Sequence, residues 1–222
     1  DRFEYTVTGS MLELYCNDMV DLLTKRDGGD DAFVTKSKLS IRAQKSGGTV
    51  VENLTEEECQ TAEALSELLE RGNGRRTVAA TAMNSESSRS HLILQIKIKS
   101  VNKETKQSVS GKLLLCDLAG SERLKKSQTA DMPESSQKEA IEINKSLTAL
   151  GDVIGSLTKG EKFIPYRNHK LTQLMQDSLG GSSKTLMFVN CSPAASNVDE
   201  TLMSLQYATR AKKITNTTTV SL

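Results

Sequence analysis

Two short polar strings in this sequence contain side chains that could bind magnesium and a phosphate. The first runs from Asn84 to His91 and reads NSESSRSH, and the second runs from Asp117 to Glu122 and reads DLAGSE. Hydroxyl and carboxylate oxygens are the hard ligands that Mg²⁺ prefers, and an arginine can bind a carboxylate through two hydrogen bonds. A glycine such as Gly120 lets a backbone N–H approach a phosphate closely. Together the two strings predict a site that senses the γ-phosphate of a nucleotide.

The phosphate cradle that usually accompanies such strings does not occur in these 222 residues. The pattern G-x-x-x-x-G-K-[ST], whose backbone amides and lysine hold phosphates, is absent from the sequence. The one Gly-Lys pair, Gly111-Lys112, is followed by Leu113 and by an apolar run through Cys116 that is typical of a buried strand. The sequence therefore predicts the sensing half of a nucleotide site without the half that holds the phosphates.

Composition predicts one soluble domain in a reducing compartment. Charged residues make up 26% and hydrophobic residues 36% of the 222 residues, and the formal net charge is +1. This net charge argues neither for nor against binding to nucleic acid. An acidic partner would therefore have to bind a local basic patch. No apolar run approaches the roughly 18 residues of a membrane helix, and no secretion signal is visible. The four cysteines are far apart, without C-x-x-C spacing. Free structural thiols are therefore favoured over a disulfide or a metal site.

Hydrophobic periodicity predicts strands that alternate with helices, which indicates an α/β sandwich with helices on both faces. A capping box at 55–58 predicts a helix that ends at Arg71-Gly72. Apolar residues spaced by three and four predict a long helix over 139–157. The predicted strands lie at 3–15, 39–42, 49–51, 92–99, 108–116 and 185–190, the other helices at 172–179 and 197–213, and the polar loops at 24–32, 102–106 and 125–137.

Six strings in a fixed order resemble the kinesin motor domain. They are NSESSRSH at 84–91, DLAGSE at 117–122, INKSLTALGDVI at 143–154, IPYRNHKLT at 164–172, DSLGG at 177–181 and YATRA at 207–211. Myosins contain motifs similar to the first two strings but differ in the residues that follow Arg89 and Gly120. Ras-type GTPases lack the Ser-Ser-Arg-Ser-His element. The segment SMLELY at 10–15 is similar to the C-terminal-motor class, kinesin-14, whose plant calmodulin-binding branch is a plausible neighbour.

The resemblance implies a kinesin-type P-loop nucleotidase fold, an α/β sandwich with a mixed central sheet and helices on both faces. Residues 1–222 would be a single partial motor domain, without the N-terminal strands and the P-loop. It would contain switch I at 84–91, switch II at 117–122 and a microtubule-binding region at about 123–180. The loop after the second switch differs from the usual glycine-rich form, and Phe163 stands where many relatives carry histidine.

The resemblance also assigns roles to residues, with ATP and Mg²⁺ as the implied ligands. Arg89 and Glu122 would form the salt bridge that closes the site, and His91 is expected to pack or bond structurally rather than act as a base. The catalytic residues would be Ser87, Arg89, Gly120 and Glu122; the nucleotide-binding residues Asn84, Ser88, Ser90 and Asp117; and the Mg²⁺ ligands Ser88 and, through water, Asp117. Outside such a string, paired serines more often make local turn bonds, and an exposed ion pair contributes only about 0–1 kcal/mol.

The implied partner is the microtubule, whose acidic surface would contact a basic face of this chain. The contacting residues would be Lys125, Lys126, Tyr166, Arg167 and Lys170; ordinary solvated surface lysines are the alternative. A dimer partner could join through a coiled coil outside this chain, and neither nucleic acid nor a membrane is expected. The expected location is the cytoplasm and the microtubule cytoskeleton, with the spindle as a candidate. Two functions remain open: part of an ATP-driven microtubule motor, and a non-enzymatic microtubule-binding homology domain that has lost its nucleotide.

Overall fold

The structure is a computed structural model, and it describes residues 2–24, 38–44, 48–82, 89–121 and 134–216. The chain forms two compact units. The first comprises Asp1–Ser40 and Val51–Ala119, and the second comprises Ile41–Val50 and Gly120–Ser221. Each unit is described separately below.

The first unit is built on an antiparallel sheet. Its strands are β1 (Phe3–Tyr15), β2 (Asp18–Asp21), β5 (Glu57–Glu58), β6 (Ser90–Asn102) and β7 (Ser108–Asp117), in the order β2-β1-β6-β7 with β5 also paired to β1. Every described strand pair of this sheet is antiparallel. Leu92 on β6 lies opposite both Glu13 on β1 and Asp117 on β7. Because directly opposite residues share a face, Glu13 and Asp117 project from the same side of the sheet.

Helix α1 (Ala62–Ala82) covers this side of the sheet, and two predictions about it are wrong. The residues assigned to a capping box include strand β5, and the helix begins only at Ala62, where Thr61 Oγ1 accepts a hydrogen bond of 3.1 Å from the Ala64 amide. The helix also continues through Gly72. This glycine is no left-handed cap; it allows close packing, since a Cβ there would overlap Met11 of β1.

The core of the first unit lies between α1 and the sheet. Its buried members share large or soft apolar side chains, which pack against partly buried positions of α1 and β6. They are Met11, Leu22, Leu23, Cys59, Leu68 and Leu94. Burial of such side chains stabilises the unit by about 1.5–3 kcal/mol each relative to exposure. The alternating pattern of 92–99 correctly predicted a strand, because one face of β6 is covered by this helix.

The second unit is mainly helical. It contains α2 (Glu134–Lys159), a 3₁₀ turn at Tyr166–Asn168, α3 (Lys170–Leu174), a 3₁₀ turn at Ala195–Asn197 and α4 (Val198–Ala211). A separate two-stranded sheet pairs β3 (Ser40–Ala43) with β4 (Thr49–Glu52), and the turn between them belongs to this unit. The apolar stripe of the long helix is confirmed by the burial of Ile143, Leu150 and Ile154. The helix starts at Glu134, however, inside the predicted loop.

Two further predictions in the second unit are wrong. Residues 185–190 form no strand, and Leu186 and Phe188 are 77% and 81% exposed. A strand requires a neighbour for its backbone hydrogen bonds, and no strand within the described ranges pairs with this segment. Asn197 precedes α4 as expected, but its side chain donates to Ser192 Oγ at 3.0 Å and makes no capping bond in the described structure.

Candidate functional site

Arg76 of α1 connects residues from both polar strings. Its Nη1 lies 3.2 Å from Asp117 Oδ2, and its Nη2 donates to the Ser90 carbonyl oxygen at 3.2 Å and to Ser90 Oγ at 3.3 Å. Its Nε lies 3.5 Å from Glu13 Oε1, which is an ion-pair contact in which this nitrogen makes no hydrogen bond to a described residue. One guanidinium therefore holds the start of β6 next to the end of β7.

The regular spacing of the contacts between α1 and β1 explains why Arg76 lies at this site. A Cβ on Gly9 would lie 2.9 Å from Leu68, and a Cβ on Gly72 would overlap Met11. Arg76 then meets Glu13. The helix advances four residues, about 6 Å, while the strand advances two residues, about 6.6 Å. The side chains of the two elements thus stay in step up to the site.

The network is buried at one end and open at the other. The side chains of Arg76 and Glu13 are 11% and 10% exposed, whereas that of Asp117 is 70% exposed. Ser90 is buried, and its Oγ donates to Glu13 Oε1 at 2.5 Å. The buried carboxylate balances the charge of the guanidinium, which would be costly to bury alone. Asp117 can therefore present a carboxylate oxygen to a ligand while Arg76 stays anchored beneath it.

His91 makes a second connection between the two strings. The imidazole is buried, and its Nδ1 accepts a hydrogen bond of 3.0 Å from the Ala119 backbone amide. A nitrogen that accepts carries no proton, so this contact describes a neutral imidazole with its proton on Nε2. The prediction that His91 has a structural role at the start of the strand is confirmed. Its bond holds the backbone two residues beyond Asp117.

The structure describes only part of the predicted nucleotide site. Four of the predicted residues lie within the described ranges: Arg89, Ser90, Asp117 and Gly120. Hydrogen bonds from Arg76 connect two of them, Ser90 and Asp117. The remaining predicted residues lie outside the described ranges, so the Arg89–Glu122 salt bridge stays a prediction. Those residues are Asn84, Ser87, Ser88, Glu122, Lys125 and Lys126.

Sequence reasoning did not identify Glu13 and Arg76 as members of the site. A signal for Glu13 was present, because a carboxylate inside the apolar run 11–15 is expected to be buried and therefore to need a cation. Arg76 carried no local signal. It lies beyond Gly72, where the predicted helix was thought to end.

Magnesium is compatible with the donor set at Asp117. Within the described ranges, no group of three or more His, Cys, Asp or Glu side chains could form a metal cage. Mg²⁺ does not depend on such a cage, because it commonly keeps several waters and binds one or two carboxylates together with substrate phosphates. The exposed Asp117 carboxylate fits that type of site.

The predicted microtubule residues of the second unit differ in exposure. Arg167 is exposed, while Lys170 and Tyr166 are half-buried. The Tyr166 hydroxyl donates to the Leu179 carbonyl oxygen, and burial, with a smaller contribution from the charge of Asp177, raises the pKa of Tyr166. His169 caps α3 by accepting a 3.1 Å hydrogen bond from the Leu171 amide. Tyr166 therefore supports the fold of this segment, and Arg167 is the more accessible charge.

Two other sequence predictions can be compared with the structure. The four cysteines are free, and burial raises the pKa of the Cys116 thiol to about 11, so this thiol stays protonated at neutral pH. Among the described helices, none combines the length and the apolar character that crossing a bilayer requires.

Comparison with known proteins gives a consistent family. The family model described as the kinesin motor domain matches residues 1–214. The chain is 52% identical over 215 residues to the kinesin-like protein KIN-14E of Arabidopsis thaliana and 50% identical over 217 residues to KIN-14I of Oryza sativa subsp. japonica. These matches cover 97% and 98% of this chain, but only 16% and 17% of the two relatives.

Solved structures show the same fold. One is a fast kinesin, described with its ATPase mechanism and its interactions with microtubules; it has a TM-score of 0.86 and 42% identity. A second is the C-terminal motor and motor homology domain of Kar3Vik1 fused to a heterodimeric coiled coil, with a TM-score of 0.78 and 39% identity. The matches cover 99% and 97% of this chain, and 59% and 53% of the respective solved chains.

Proposed function

Since this chain belongs to the kinesin motor-domain family, we propose that it contributes the two switches and the microtubule-binding face of an ATP-driven microtubule motor. The kinesin-14 class is favoured by the identity of about 50% to two plant members. The chain has no P-loop pattern and spans 59% of the solved fast kinesin. We therefore assign to it only the switch half of a nucleotide site.

The observation that carries this proposal is the bridge from Arg76 to Ser90 and Asp117. A motor needs two elements whose relation changes with the γ-phosphate. Here the two strings share one guanidinium, so a ligand that competes for Asp117 alters the contacts of Ser90 as well. Glu13 fixes the buried side of the bridge, and the exposed Asp117 is the side at which a ligand would act.

The proposed ligand roles are those that the resemblance to the family implies. Asp117 would hold Mg²⁺ through water and Ser88 would bind it directly, while Asn84 and Ser90 would lie at the nucleotide. When bound, Mg²⁺ would neutralise charge on the phosphates that are transferred. Ser87 and the Gly120 amide would orient water and the γ-phosphate, and Arg89 with Glu122 would close the site.

The proposed partner is the acidic surface of the microtubule. The basic contacts would be Arg167 and Lys170 in the second unit, together with Lys125 and Lys126 from an earlier part of the sequence. Short-range pairing of this kind does not require a high net charge, which agrees with a chain of +1. We further propose a location on the microtubule cytoskeleton, with the spindle as one candidate site. Dimerisation through a coiled coil outside residues 1–222 also belongs to the proposal.

The hypothesis of a motor and that of a non-enzymatic domain can be distinguished in a complete motor domain that carries this chain. In Glu122→Ala we expect ATP affinity to stay within about twofold and microtubule-stimulated turnover to be lost, because Glu122 closes the site and does not hold the nucleotide. Glu134→Ala, an exposed carboxylate at the start of α2, is the matched control. An unsubstituted domain that binds microtubules but neither binds nor hydrolyses ATP would establish the non-enzymatic function instead.

A further inference from the structure

The guanidinium of Arg76 is shared between a buried carboxylate and an accessible one. Its Nε lies 3.5 Å from Glu13 Oε1, and its Nη1 lies 3.2 Å from Asp117 Oδ2. The side chains of Arg76 and Glu13 are mostly buried, whereas that of Asp117 is mostly exposed. A ligand can therefore reach Asp117 while the other two charges stay beneath the surface.

The strand β1 and Ser90 fix the position of the Glu13 carboxylate. Leu12 and Leu14, which flank Glu13 on the strand, are fully buried, and Glu13 itself is buried. The Ser90 hydroxyl donates to Glu13 Oε1 at 2.5 Å. A hydrogen bond to an ionised acceptor is stronger than one between neutral groups. The negative charge of Glu13 therefore has a defined place next to the guanidinium of Arg76.

The charge of Glu13 decides how much of the Arg76 charge acts on Asp117. Glu13 and Arg76 together carry no net charge, so the charge that these three side chains leave at the surface is that of Asp117. If Glu13 were neutral, the full positive charge of the guanidinium would act on Asp117. A cation that approached Asp117 would then meet a neutralised ion pair instead of a carboxylate. Salt screens partly buried charges only weakly, so this effect should persist at physiological ionic strength.

We propose that Glu13 is a positioning residue, which compensates the charge of Arg76 and thereby leaves the Asp117 carboxylate available to a divalent cation. The inference rests on the proposed function, in which Asp117 holds Mg²⁺ through water. It assigns to Glu13 an effect on metal affinity in addition to its contribution to stability. A residue in the middle of a buried strand would in this way set the strength of a site at the end of another strand.

Retention of ADP by a complete motor domain that carries this chain measures the proposed effect without turnover. The ADP carries a fluorescent N-methylanthraniloyl group, and its release is recorded as the concentration of free Mg²⁺ is lowered. Glu13→Gln removes the charge and keeps an oxygen that accepts from the Ser90 hydroxyl. We expect this variant to need about three- to tenfold more Mg²⁺ for half-maximal retention. Glu104→Gln, which removes an exposed carboxylate 3.4 Å from Arg2, should need the same concentration as the wild type.

Two further variants separate the charge of Glu13 from its packing. Glu13→Asp retains the charge but shortens the side chain, so it should need less Mg²⁺ than Glu13→Gln, although Gln is closer to Glu in size. The double variant Glu13→Gln, Arg76→Gln removes both charges, and its Mg²⁺ requirement should return to within about twofold of the wild type. A purely structural role predicts the opposite order for the two single variants and no recovery in the double variant.

The outcomes distinguish the inference from the proposed function. An unchanged Mg²⁺ requirement in Glu13→Gln would overturn the inference, and so would a double variant that needs at least as much Mg²⁺ as Glu13→Gln. Either result would leave the proposed function intact. If the double variant does not fold, as judged by circular dichroism, the order of Glu13→Asp and Glu13→Gln decides. A wild-type domain that retains ADP equally well without Mg²⁺ would overturn the proposed function itself.

Discussion

Removal of the Glu13 carboxylate tests whether the buried end of the Arg76 network stabilises the molecule. Glu13 and Arg76 are both about one-tenth exposed, so Glu13→Ala leaves a buried guanidinium with less compensation. Loss of one partner from a buried ion pair typically costs about 3–5 kcal/mol. We expect about 3 kcal/mol, the low end of that range, because Asp117 and the Ser90 carbonyl oxygen still face Arg76.

The expected ranking of three variants makes this prediction specific. In domains of about 150–250 residues 1 kcal/mol corresponds to about 2–4 °C, and the shift per kcal/mol falls as size increases, so Glu13→Ala should lower the Tm of a complete motor domain by about 6 °C. Glu13→Gln should lower it by less, since an amide oxygen can still accept from the Ser90 hydroxyl. Asp117→Asn should cost only about 0–1 kcal/mol, because its side chain is 70% exposed.

The assay is thermal unfolding of a complete motor domain that carries this chain, measured side by side for all variants. Glu104→Ala is the matched control, because Glu104 pairs with Arg2 at 3.4 Å on an exposed surface and should cost about 0–1 kcal/mol. A Glu13→Ala variant as stable as Glu104→Ala would refute the reasoning. If Glu13→Ala lost only as much stability as Asp117→Asn, burial would not decide how strongly each ion pair of this network contributes.

Three further predictions concern ATPase activity, microtubule binding and the stability of the isolated chain. The 222-residue chain alone should show no appreciable ATPase, because two switches cannot replace a P-loop; microtubule-stimulated turnover at rates typical of enzymes would contradict this. In a complete motor domain, Arg167→Ala and Lys170→Ala should each weaken microtubule affinity and reduce its dependence on salt, with basal ATPase unchanged; a collapse of basal turnover would place these residues in the fold or the nucleotide site instead. The isolated chain should be marginally stable and prone to association, because Val109, Leu113 and Leu115 of β7 are at least half exposed and β7 pairs with only one strand among the described residues. A sharp, reversible transition of a monomer would show this last prediction to be wrong.

The elements that the sequence predicted well are those whose pattern depends on one covered face. Alternation over 92–99 identified β6, and the spacing of Ile143, Leu150 and Ile154 identified the long helix α2. The turn near 102–106 was also correct, with Lys106 at a φ of +59°. For β6 and α2 the local periodicity and the tertiary environment require the same residues to be apolar.

The failures occurred where a distant partner decides the local structure. Gly72 has the residue type of a helix end, but its role is to admit Met11, which comes from a strand 61 positions earlier in the sequence. Residues 185–190 have the composition of a buried strand, yet a strand cannot form without a neighbour in the described structure. The Arg76 bridge depends on three separate segments. Local sequence patterns carry no information about such contacts between distant segments.

The stepwise match between α1 and β1 also limits how the length of this chain can vary. Leu68, Gly72 and Arg76 meet successive positions of the strand because four helical residues advance nearly as far as two strand residues. One residue inserted between Gly72 and Arg76 would rotate the guanidinium by about 100° around the helix axis. Such an insertion would leave helix propensity and composition almost unchanged and would still detach the arginine from Glu13, Ser90 and Asp117. Between Gly9 and Glu13, and between Leu68 and Arg76, residue number is therefore as strictly constrained as residue type.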